Sequence, residues 1–97
     1  MISSNQKLKN QATVALKLYF YRSYKLLSLL RSQKDVDLTY ARQKIRAALA
    51  NFKSAYVPML DSRHEFSFEL SFFENIWQDY NWILTALEKH INLEMKE

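Results

Sequence analysis

Between residues 6 and 31 apolar side chains recur every three or four positions: Leu8, Ala12, Ala15, Tyr19, Leu26 and Leu30, with Leu16, Ser23 and Leu27 beside them. That spacing lines one side of an α-helix, because 3.6 residues complete a turn. Ser3 followed three residues later by Gln6 has the spacing of a capping box, in which each residue satisfies one free amide at the helix start. The opposite stripe is Lys17, Tyr21, Tyr24, Ser28 and Arg31. A polar break over 32–37 follows, where Asp35 or Asp37 can cap a second helix and suits the positive end of its dipole.

The second helix is predicted to run to about residue 56, with Leu38, Ala41, Ile45, Ala48, Leu49, Phe52 and Tyr56 inward and Arg42, Arg46 and Lys53 roughly aligned on one flank. Pro58 disfavours helix at Val57 and is expected to stop or kink it. A third helix is predicted from near Ser62, where Ser62 and Glu65 repeat the capping-box spacing. Its inward positions are Phe66, Leu70, Phe73, Trp77, Tyr80, Leu84, Leu87 and Ile91. The alternation of Phe66, Phe68, Leu70 and Phe72 also fits a strand, but the three–four pattern continues to Ile91 and excludes it. Unbroken, such a helix spans about 45 Å, so a break near 78–81, giving four helices, is an alternative. The expected fold is all-α: an antiparallel bundle of three long helices in a single domain.

Composition agrees. The chain of 97 residues has no glycine and one proline, too few for the turns of a β-sandwich or barrel, and is 48% hydrophobic, too rich for a disordered segment. It has no cysteine, which excludes disulfides and thiolate zinc sites and is compatible with a reducing cytoplasm, the expected location. No apolar run approaches the ~20 residues that span a bilayer. The same basic amphipathic helix would suit an anionic lipid surface, but its apolar face is needed in the bundle, so no membrane partner is expected.

Charge changes the picture most. Residues 1–60 hold eleven Lys/Arg against Asp35 and Asp37, a balance of +9, and the remainder is −5, to reach +4 overall. Residues 6–34 alone carry seven basic side chains and no acid. Phosphate binding needs cations projecting together, and single strands add aromatic stacking. Lys17, Tyr21, Tyr24 and Arg31 meet both demands on one face. Lys25, Arg42, Arg46 and Lys53 widen the patch if the first two helices lie side by side. With no recognition-helix motif, contact with the nucleic-acid backbone rather than base edges is expected.

Chemistry beyond binding finds little support. His64 at a helix start and His90 beside the core face are the only histidines, no Glu-x-x-His pair occurs, and no glycine-rich loop could cradle a phosphate. Glu65 and Glu69 share a helix face, as expected of a solvated surface. A non-enzymatic protein without cofactor or metal is expected. On the third helix, Trp82 falls opposite Trp77 and Leu84, together with Phe68, Asn75 and Leu93, a candidate docking face for other protein subunits.

In size, helicity and charge the chain resembles the small helical subunits of CRISPR effector complexes. That resemblance implies backbone contacts by Lys17, Arg22, Lys25, Arg31, Arg42 and Arg46 within a nucleoprotein assembly of antiviral defence. It also implies subunit contacts, including with copies of itself, through the acidic helix that bears Trp82. The same traits occur in secretion chaperones and toxin-immunity proteins, so the alternative is a protein-interaction bundle docking a partner through the Trp82 face.

Overall fold

Ser3 accepts a hydrogen bond on its hydroxyl from the Gln6 amide at 3.1 Å and opens the first helix. The computed structural model describes residues 3–91, with α1 (Ser4–Arg31), α2 (Leu38–Asp61) and α3 (Ser67–Glu88), and no strand among the described residues. Only half of the capping box forms. The Gln6 side chain donates to Asn10 Oδ1 at 2.9 Å instead of reaching back. Asp37 caps α2, accepting from the Tyr40 amide at 3.0 Å.

The helices run up, down and up. Gln11 Nε2 near the start of α1 donates to Asn51 Oδ1 and Ser54 Oγ of α2, while Arg22 Nη1, three turns on, donates to the Lys44 carbonyl at 2.8 Å, so α2 is antiparallel to α1. Lys9 meets Glu69 and Tyr24 meets Trp82, so α3 runs parallel to α1. The result is a three-helix bundle of 45 × 25 × 23 Å. Helix α1 packs along both neighbours and is the spine. Helices α2 and α3 meet through rings: Phe73 stands edge-on to Phe52, centroids 5.7 Å apart, and beside Tyr56.

A spine that faces two neighbours needs a wider apolar arc than one stripe. This is why Phe20, outside the predicted stripe, is buried beside Tyr19. Tyr19 stacks on Trp77 at 5.5 Å and Phe20 meets the same indole edge-on at 5.2 Å. Burial pushes the Tyr19 phenol up from its usual pKa, with the charge of Glu88 adding to the effect. Leu16, Leu27, Met59 and Leu87 are sealed from solvent, each contributing about 1.5–3 kcal/mol by burial. Ser23 is sealed too, and its hydroxyl donates within the helix to the Tyr19 carbonyl at 2.7 Å, so no polar atom is orphaned there.

Two boundaries differ from the sequence expectation. Helix α2 continues through Pro58 to Asp61. Proline removes one donor near the helix end, and the burial of Met59 one residue further on outweighs that loss. Helix α3 starts at Ser67, not Ser62. Ser62 closes α2, and its carbonyl, not its hydroxyl, accepts from the amides of Glu65 and Phe66 in the turn. Helix α3 is continuous through 78–81, as the three-helix reading expects and the four-helix alternative does not. Its inward face also shifts: Ile83 is buried, whereas Tyr80 is half exposed.

With no glycine available, the end of α1 uses Gln33. Its φ of 56° lies in the left-handed region. The Gln33 amide donates to the Leu30 carbonyl and the Lys34 amide to the Leu29 carbonyl, both at 3.1 Å, the paired bonds of a Schellman C-cap.

Candidate functional site

The outer face of α1 is where the predicted residues converge. Lys17, Tyr21, Tyr24, Lys25 and Arg31 are all exposed along it. None of these cations has a carboxylate within ion-pair distance among the described residues. The lysine of α1 that does pair with the acidic helix is Lys9, 3.0 Å from Glu69, which holds the Glu69 carboxyl below its usual pKa. Glu65 accepts a bond from Asn5 at 3.4 Å. Glu69 on α3 and Glu65 in the turn before it therefore both fasten the chain to the start of α1, but Glu65 is not on a shared helix face with Glu69.

On either side of this face runs a groove. Between α1 and α3 lies a cavity of about 540 Å³ floored by Phe20, Ile76 and Ile83 and rimmed by Lys17, Tyr21, Tyr24, Asp79, Tyr80 and Trp82. Between α1 and α2 lies one of about 350 Å³, with Tyr21, Arg22, Lys25, Tyr40 and Lys44 on its walls. Tyr21 belongs to both, so the two grooves form one band across the bundle. Lys44 Nζ sits 5.7 Å from the Tyr40 ring centroid, a cation–π distance. Asp79 is the acid of the first groove; Asp37, in the second, is engaged as the α2 cap.

Trp82 was expected on a separate docking face. Its indole instead leans back to α1, edge-on to Tyr24 with centroids 6.2 Å apart, and so joins the band. Phe68 and Asn75 are exposed on the same side of α3, but Phe68 lies fourteen residues from Trp82, about 21 Å along the helix. Leu93 lies outside the described residues.

The α2 part of the predicted patch does not continue the α1 face. Lys53 lines the third groove, of about 380 Å³ between α2 and α3, with Phe52, Tyr56, Phe73, Glu74 and Trp77. Arg46 and Arg42 stand on that same flank, two and three turns back, because residues three and four apart share a helix side. Both are half buried, and the Arg42 Nε is enclosed without a hydrogen-bond partner. Arg22 is a tie between helices through the Lys44 carbonyl. The α2 residues that do join the band, Tyr40 and Lys44, were missed. Their signal was local: a Tyr and a Lys four apart, on the flank opposite Arg42.

His64 is exposed in the α2–α3 turn, 3.8 Å from Glu65, and His90, beside the core face, is exposed too. Among the described residues no three of His, Cys, Asp and Glu gather closely enough to hold a metal ion, and no helix is long and apolar enough to cross a membrane. No family profile, curated protein or solved structure matches the chain.

Proposed function

We propose that this bundle is a non-enzymatic nucleic-acid-binding subunit that holds the phosphate backbone without sequence choice. The observation that carries this is the unpaired set Lys17, Lys25 and Arg31 on one face of α1, extended by Lys44 from α2. Cations with no internal carboxylate to neutralise them keep their charge for an external polyanion. The sequence carries no recognition-helix motif, which favours contacts that position a chain over contacts that read it. Membership of a larger nucleoprotein assembly, of the kind formed by CRISPR small subunits, belongs to the same proposal.

The test sets two reversals against each other. Changing Lys17, Lys25 and Lys44 together to Glu, or Lys53, Arg63 and Lys89 together to Glu, alters net charge equally. Binding of a labelled oligonucleotide, read by anisotropy, should be lost in the first variant and largely kept in the second. Equal loss in both would mean that net charge, not this face, attracts the ligand.

A protein-docking bundle is the second reading, favoured by Phe68, which is 80% exposed at the start of α3. A large apolar side chain this open is enriched at protein contacts. Phe68→Asp should then abolish association with a protein partner, or with a second copy, while nucleic-acid binding is unchanged.

A further inference from the structure

The band carries more rings than a phosphate-binding face requires. Tyr21, Tyr24, Tyr40, Tyr80 and Trp82 come from all three helices and are each between 48% and 62% exposed. Lys17, Lys25 and Lys44 stand between them on the same grooves. Tyr19, Phe20, Phe52, Phe66 and Phe73 are buried in the core, and Phe68 stands exposed at the far end of α3, so the half-exposed aromatics gathered on these grooves, with Phe72 also on the first, are a surface feature that the core does not explain. Resting on the reading above, we infer that the ligand is single-stranded nucleic acid, with unpaired bases stacking on these rings, and that the strand crosses the helices instead of following α1.

Two physical points lead there. A duplex hides its base faces, so exposed rings add nothing to duplex binding, whereas every unpaired base has a face that a Tyr or Trp can cover. The direction follows from placement. Trp82 on α3, Tyr24 and Tyr21 on α1 and Tyr40 on α2 succeed one another across the bundle. Along α1 beyond Tyr24 the outer face offers Ser28 and Arg31 and no further ring. Two helix spacings of about 8–10 Å separate the ends of this path. Four platforms at one base each correspond to about four nucleotides, the lower end of single-strand site sizes. The Tyr24–Trp82 pair gives the path an aromatic start, and the Lys44–Tyr40 pair gives it a cationic end.

The test uses the full chain and oligodeoxythymidylates of about 2 to about 12 nucleotides, with a duplex of equal length beside them. Affinity per site should level off near four nucleotides, and the duplex should bind at least about tenfold more weakly. Tyr21→Ala, Tyr24→Ala, Tyr40→Ala and Trp82→Ala should each weaken single-strand binding roughly 5- to 20-fold without changing its salt dependence. Tyr24→Phe and Trp82→Phe keep a ring and should keep most of the affinity, which separates stacking from a folding defect. Equal affinity for duplex, or no loss in the alanine variants, overturns the single-strand inference while leaving polyanion binding in place. No salt-sensitive binding of either form overturns both.

Discussion

The rings of Trp82 and Tyr24 meet edge to face, with centroids 6.2 Å apart and planes crossing at 78°. Two side chains that the sequence assigns to different surfaces are thus neighbours. A ring pair of this geometry contributes about 0.5–1.5 kcal/mol beyond burial, and half-exposed rings belong at the low end. A double-mutant cycle of Tyr24→Ala and Trp82→Ala, followed by urea unfolding, should give a coupling of roughly 0.5 kcal/mol. Strict additivity would mean that the rings do not touch in solution.

The Gln33 conformation gives a second prediction. A residue with a Cβ held at positive φ costs about 1–2 kcal/mol relative to glycine, and a Schellman cap needs that conformation. Gln33→Gly should raise stability by about 0.5–1 kcal/mol, after the greater unfolded-state freedom of glycine is offset. A destabilised variant would show that the turn is held some other way.

Pro58 and Met59 test the end of α2 together. Pro58 cannot donate to the Ser54 carbonyl, so Pro58→Ala restores one helical hydrogen bond and should stabilise by about 1 kcal/mol. Met59→Ala empties a sealed core position and should cost about 2–5 kcal/mol. The exposed neighbour Val57 should tolerate alanine within about 0.5 kcal/mol. If Met59→Ala were as mild as Val57→Ala, α2 would end before the proline.

Acid should loosen the start of the bundle. The Lys9 hydrogen bond, with a backbone bond behind it, lowers the Glu69 pKa on folding. A lowered pKa means that the folded state binds protons less readily. Its stabilisation is complete above the ordinary glutamate value and disappears as pH falls through the folded one. In a surface pair the effect is a few tenths of a kcal/mol. Unfolding free energies of wild type and Glu69→Gln should therefore converge between about pH 5 and about pH 3. A constant difference across that range would show that the pair is not formed.

The three-helix fold was legible because the three–four apolar spacing is long and sustained in each helix. Boundaries were less so. Pro58 reads locally as a stop, and only the tertiary burial of Met59 carries the helix past it. Ser62 and Glu65 match a capping box, yet the chain needs that segment as a turn so that Phe66 can reach the core. Within the site, Lys17, Tyr21 and Tyr24 could be read from one helix, since they share its face. Tyr40 and Lys44 could not, because which flank of α2 adjoins that face depends on how the helices are arranged around α1. The same unknown misplaced Arg42, Arg46 and Lys53, and it hid the contact of Trp82 with Tyr24.

The most direct measurement is the affinity for a single-stranded oligonucleotide as salt rises fourfold. Three to four neutralised phosphates, at a slope of about 0.7 each, should weaken binding roughly 20- to 50-fold. The variant with Lys17, Lys25 and Lys44 reversed to Glu should show no binding to weaken. Affinity that is indifferent to salt, or that survives the reversal, would contradict a phosphate-holding face on α1.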